Sequence, residues 1–185
     1  MSSLRFLSLP IVAALTISAQ ARLLETTQEC DTRYGAGQDL PLTLGEEFKS
    51  AENKKWTARM YSAGGLAIQI IFEDNIAVLL RYSNEAALKV ANSTTRPVSL
   101  TADEVTHLRS VNLKEEITWN PYKDRTLETL APSMTLWISS DKKSYAGYDR
   151  DNRQLFVCND RFWDIVAGKL RKQAETSAAT RFKGL

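Results

Sequence analysis

Residues 56 to 82 constrain the fold more than any other stretch, because apolar and polar side chains alternate there with a period of two. Trp56, Ala58 and Met60 alternate with Thr57 and Arg59. Gly64–Gly65 marks a turn, after which Leu66, Ile68, Ile70 and Phe72 fall on one side of the chain. Glu73–Asp74–Asn75 marks a second turn. Ile76, Val78, Leu80 and Tyr82 are expected to share a face of the next strand, with Arg81 on the other. Alternation at this period places successive side chains on opposite sides of a strand. Turns this short join neighbours that run in opposite directions, so the stretch reads as a three-stranded antiparallel meander.

The pattern recurs further on. Ile117–Thr118–Trp119 is a short strand or a loop anchor, and Met134, Leu136 and Ile138 alternate with Trp137. Ser144–Tyr148 and Gln154–Cys158 follow, separated by the turn Asp149–Arg150–Asp151–Asn152. Helical signals surround these blocks. Leu23, Thr27, Cys30 and Tyr34 lie on one face of a short helix, with Gly35 in position to close it. Thr101–Ala102–Asp103–Glu104 is a capping box, in which the Thr101 hydroxyl and the Glu104 carboxylate each accept from the other's backbone amide. Leu100 and Val105 stand where a hydrophobic staple closes such an entry, and Val105, Leu108 and Val111 form the apolar stripe. Asn159–Asp160 caps a last helix whose Phe162, Trp163, Val166, Ala167 and Leu170 bury one side.

The expected fold is therefore α+β. Two helix-plus-three-stranded antiparallel units span residues 22–83 and 100–158, a C-terminal helix spans 160–171, and a polar tail covers 172–185. Residues 84–99 connect the units, with a helical signal at 85–91. The repeated order suggests a tandem duplication, carried by pattern and not by identity. Helices are expected on one face of the antiparallel sheet. One sheet and two sheets both remain open.

The start of the chain is of another kind. Met1–Arg5 is short and positively charged, Phe6–Ile17 is apolar apart from Ser8, Pro10 and Thr16, and Ala19–Gln20–Ala21 carries small residues two apart. That grammar is a secretory signal peptide, with cleavage expected after Ala21. Its apolar run of about 12 residues falls short of the ~30 Å core of a bilayer. A periplasmic or secreted location is expected, with no membrane span. The net charge of +2 gives no reason to expect a nucleic-acid partner.

The segment Cys30–Asp31–Thr32–Arg33–Tyr34–Gly35, the hairpin Tyr61–Phe72, a strand ending at Tyr82, the capped helix Thr101–Val111, Trp119, Trp137 and Ala146–Gly147–Tyr148–Asp149 follow one another in a recognisable order. In this order the chain resembles a group of small exported bacterial proteins with a Cys-x-x-Arg-Tyr-Gly element, over roughly residues 25–158. The group implies export and no particular activity. This chain departs from it by a long insert between Gly35 and Trp56. Its helix-plus-three-strands repeat is also similar to the units of β-lactamase inhibitor proteins and of small outer-membrane assembly lipoproteins, an analogy of fold alone.

Chemistry is sparse in the sequence. His107 is the single histidine and lies on a helix, so a triad or a zinc cluster lacks its usual members. No metal or other cofactor is expected. Cys30 and Cys158 leave two readings open: a disulfide, which would contribute about 4–5 kcal/mol in a chain-entropy account, or two buried thiols that act as small hydrophobes. Carboxylate pairs at Glu46–Glu47, Glu73–Asp74, Glu115–Glu116 and Asp149/Asp151 sit in turns or polar stretches. Arg33 is read as an anchor that donates to loop carbonyls at the end of its helix. Trp119, Tyr122, Trp137, Tyr145 and Tyr148 are the candidate binding residues, forming either an exposed aromatic sheet face or core packing. If Trp137 points away from the helices, it needs a cover, either the 121–132 loop or a partner. The expected function is that of a non-catalytic binding or envelope-associated module, whose partner would be another envelope protein. A small periplasmic hydrolase, and an inhibitor-like module that uses the 35–55 insert, are the alternatives.

Overall fold

A computed structural model describes residues 22–42, 55–85 and 99–182. The helical signal at 85–91 and most of the 35–55 insert fall outside the described residues, as does the leader. The helix α1 (Thr27–Tyr34) leads into a short strand β1 (Gln38–Leu40). The meander β2 (Trp56–Ala63), β3 (Leu66–Glu73) and β4 (Ile76–Asn84) follows. Helix α2 (Ala102–Ser110) precedes β5 (Trp119–Pro121), a short helix α3 (Arg125–Leu130), and the meander β6 (Met134–Ser139), β7 (Ser144–Asp149) and β8 (Gln154–Asn159). The last helix, α4, runs from Asp160 to Phe182, so the segment expected to fray as a polar tail continues the helix to Phe182.

All eight strands form one antiparallel sheet in the order β1-β2-β3-β4-β8-β7-β6-β5. Each half is a four-stranded meander, and the two meet where Leu79–Tyr82 of β4 pairs with Leu155–Cys158 of β8. The short outer strands β1 and β5 were not both foreseen. β1 lies in what reads as connector, because its three residues carry no alternation long enough to detect.

The helices lie on both faces of the sheet, which corrects the one-sided arrangement expected from sequence. Face one carries Tyr61, Ile68, Ile70, Phe72, Leu80, Tyr82, Leu155 and Val157, packed with Cys30 of α1 and with Leu100, Val105 and Leu108 at α2. Face two carries Ala58, Ile71, Leu79 and Cys158, packed with Leu127 of α3 and with Phe162, Trp163 and Ala167 of α4. Ile70 and Ile71 are adjacent and both buried, in opposite cores. A strand buried on both sides reads as a near-continuous apolar run, and Leu66–Phe72 is one.

The face assigned to the start of β4 also changes. Ile71 pairs with Leu79 and Phe72 with Ala77, which leaves Val78 as an extra residue in a β-bulge. The bulge sends Val78 and Leu79 into the face-two core and Ala77 into the face-one core. Val78 therefore does not share a face with Leu80 and Tyr82.

Both helices on face one begin alike. At α2 the Glu104 amide donates to Thr101 Oγ1 at 3.2 Å and the Thr101 amide to Glu104 Oε2 at 2.7 Å, the expected capping box. At α1 the Glu29 amide donates to Thr26 Oγ1 at 3.2 Å and the Thr26 amide to Glu29 Oε2 at 2.7 Å. Gly35 ends α1 at φ +85°, a conformation that favours glycine, and its amide donates to the Asp31 carbonyl. Asn159 caps α4 by accepting from the Phe162 amide at 2.8 Å.

Candidate functional site

The Cys30–Gly35 element is a structural joint. Cys30 is fully buried in the face-one core. Asp31 accepts from the Tyr61 hydroxyl at 2.9 Å through Oδ1 and from Arg59 at 2.8 Å through Oδ2, and Arg59 also donates to Asp39 on the edge strand. Desolvation works against ionisation of Asp31, but the bonds from Tyr61 and Arg59 prevail and hold its carboxyl below the usual range. Arg33 does not bond loop carbonyls as expected. It forms a two-pronged pair with Glu25, which precedes the helix, because Glu25 lies one helix length back on the same side. Tyr34 packs against Tyr61 with ring centroids 5.5 Å apart.

Cys30 and Cys158 are both free, buried thiols. Cys30 belongs to the core on face one and Cys158 to the core on face two, so the sheet stands between them. Burial pushes the Cys30 thiol up to about 12, with Glu25 adding to the effect. A thiol held protonated is a poor nucleophile. His107 is exposed on α2. Among the described residues no group of three or more His, Cys, Asp or Glu is placed to hold a metal.

The five aromatic candidates do not form one surface, because the sheet divides them. Trp119, Trp137 and Tyr148 lie against the face-one core, while Tyr122 and Tyr145 lie against the face-two core. Trp137 is covered by α2, not by the 121–132 loop. The Arg109 guanidinium carbon sits 3.9 Å from the centre of the Trp137 ring, a cation–π contact. The Arg109 carbonyl accepts from Trp119 Nε1 at 2.9 Å. The Tyr148 hydroxyl donates to the Leu100 carbonyl at 3.4 Å.

On face two the organising residue is Trp163, which α4 drives onto the sheet. Tyr145 stacks on it at 4.8 Å and 11°, Phe156 lies nearly parallel at 6.2 Å, and Tyr122 meets it edge-on at 5.9 Å. Gly147 makes room for this stack. A β-carbon there would stand 2.3 Å from the Phe156 ring and 2.9 Å from Leu136. An Asp124–Arg171 ion pair at 2.6 Å ties α3 to α4, and Arg161 pairs with the buried Glu73 at 3.1 Å.

Between α4 and the far half of face two lies a groove of about 820 Å³. Ile71, Leu79 and Phe156 of the sheet line it, facing Phe162, Trp163 and Val166 of α4. Its polar lining includes Gln69, Arg81, Asp149, Asn152, Gln154 and Lys169. The volume falls in the range of small-molecule sites, which are mostly apolar with a few polar groups. Sequence reading does not find the groove, since its walls bring together β3 and β4 with β8 and α4, which begin about seventy residues further along. One signal is present, however: Arg81 is the single charge in β4, flanked by Leu79, Leu80 and Tyr82.

Comparison with known families, curated proteins and solved structures gives no match for this chain.

Proposed function

We propose that this chain is an exported, non-catalytic binding module that seats a small ligand in the groove beneath α4. The groove carries the reading: an open apolar floor, an aromatic wall fixed by the Trp163 stack, and polar side chains along its border. The signal-peptide grammar of residues 1–21 supports export, as does the resemblance to small exported proteins. Export is tested by fractionation and mass spectrometry, which are expected to find a product beginning at Arg22 outside the cytoplasm. The mirrored strand order and the twin capping boxes of α1 and α2 support a tandem origin for the two halves.

N-phenyl-naphthylamine, a neutral apolar dye, tests the seat. The purified protein is expected to bind it saturably at one site, with fluorescence enhancement. Val166→Trp, which fills the groove from a half-buried position, is expected to abolish that signal without lowering the thermal midpoint. A dye signal that does not saturate, or one that Val166→Trp leaves unchanged, defeats the proposal.

A further inference from the structure

The chemistry of the groove's border narrows the class of ligand. Arg81 projects from β4 on face two, between Gln69 of β3 and Phe156 of β8, its partners in register. Its guanidinium donates to Gln69 Oε1 at 3.1 Å. No carboxylate among the described residues pairs with it, in contrast to Arg33, Arg59, Arg161 and Arg171, each of which has one. Arg81 is exposed at the border of the groove, and desolvation by the protein flanking it lowers its pKa from the ordinary arginine value. Asp149, the one acid among the described residues that line the groove, is committed elsewhere. Its Oδ1 accepts from the amides of Asp151 and Asn152 at 2.9 and 3.1 Å, and its Oδ2 from Asn152 Nδ2 at 2.7 Å.

Resting on the groove as a ligand seat, we propose that its ligand is a single-chain amphiphile bearing a carboxylate, with the anion at Arg81 and the chain along Phe156, Leu79 and Ile71. A guanidinium presents parallel N–H donors that match the two oxygens of a carboxylate. Gln69 accepts from Arg81 through its oxygen, which leaves its amide N–H groups to donate beside it. Among the described residues, Ile71, Leu79 and Phe156 give the side of the groove next to Arg81 an apolar surface suited to a hydrocarbon chain.

Dodecanoate, its methyl ester and dodecylamine, each competed against N-phenyl-naphthylamine, supply the test. Dodecanoate is expected to displace the dye about ten-fold more tightly than the ester, the scale of one charge-assisted contact, and the amine to be weakest. Arg81→Gln is expected to bring acid and ester within about two-fold, and Arg81→Lys to keep most of the difference. Equal binding of acid and ester by the wild-type protein, or an acid preference that survives Arg81→Gln, overturns the inference while the seat stands. If none of the three displaces the dye, the inference falls while the seat stands; if Val166→Trp leaves dye binding unchanged, both fall.

Discussion

The two faces of the sheet are built to different standards of closure. Face one is the more closed: α1 and α2 cover it, and a group of its buried polar atoms is joined together, although the Tyr34 hydroxyl and Arg109 Nε are buried without a hydrogen-bond partner. Asn112, itself buried, donates to the Tyr82 hydroxyl at 2.9 Å and to the Leu108 carbonyl at 2.7 Å, and accepts from the Leu23 amide at 3.2 Å. One amide thus ties the start of the described chain to α2 and the sheet. Face two has a hard centre around Trp163 and an open flank where the groove runs. The lesson is that one sheet can use one side for stability and the other for access. Buried polar groups that are fully paired favour a single arrangement, whereas a groove leaves apolar surface in contact with water.

The sharpest way to break this comparison is to ask whether both cores are closed to reagents. With intact protein at pH 8, a thiol reagent is expected to label neither Cys30 nor Cys158, and to label both after unfolding in guanidinium. Full labelling of the native protein would mean that the cores open readily, and none after unfolding would mean a disulfide. Next in size, Phe72→Ala in the face-one core is expected to cost about 3–5 kcal/mol in urea unfolding. Val166→Ala, on the groove wall, is expected to cost well under half as much. Equal costs would show that face two is as closed as face one.

Smaller changes probe single contacts. Gly147→Ala is expected to destabilise by about 1–3 kcal/mol through overpacking against Phe156, and a Phe156→Leu background to relieve part of that cost. A double-mutant cycle measures the coupling. Asn112→Ala is expected to cost about 1–3 kcal/mol, since it strands buried partners on face one. The smallest effect is expected from Asp124→Asn, below about 1 kcal/mol, because Arg171 is 41% exposed and solvent screens the pair. Arg171 holds the Asp124 carboxyl below its ordinary value. The pair's contribution is therefore present above the unfolded pKa of about 3.9 and is lost as pH falls through the lower folded value. Urea midpoints of wild type and Asp124→Asn should converge in that acid range.

The sequence carried the strands and helix starts unevenly, for physical reasons. The turns at Gly64–Gly65 and Asp74–Asn75, and the Thr101–Glu104 box, are local chemistry and could be read directly. The box at Thr26–Glu29 has the same spacing as Thr101–Glu104, but it sits within the apolar spacing Leu23–Thr27–Cys30, which places the helix start earlier. The bulge at Val78 was not legible, because Ala77, Val78 and Leu79 are all apolar and the alternation has no phase there. Helices on both faces could have been inferred from Ala67 and Ile71, which put apolar side chains on the supposed polar side of β3. The strand β1 and the helix α3 are too short for a periodic signal. Trp137, Tyr145 and Tyr148 lie in strands that alternation marks, while Tyr122 lies just past β5; how the aromatics divide between the faces depends on what packs above them, which is set by tertiary structure.

The seam between β4 and β8 has a consequence for how the protein comes into being. The strand that fills the middle of the sheet, β8, is the last of the eight to be made. Until it arrives, β4 presents an unpaired edge with apolar side chains on both sides, an invitation to pair with a stranger. The N-terminal meander therefore cannot finish as an independent piece. Its completion waits on residues more than seventy positions downstream, so the commitment to fold comes late and all at once. A chain that delays commitment in this way stays threadable, which is compatible with the export proposed above.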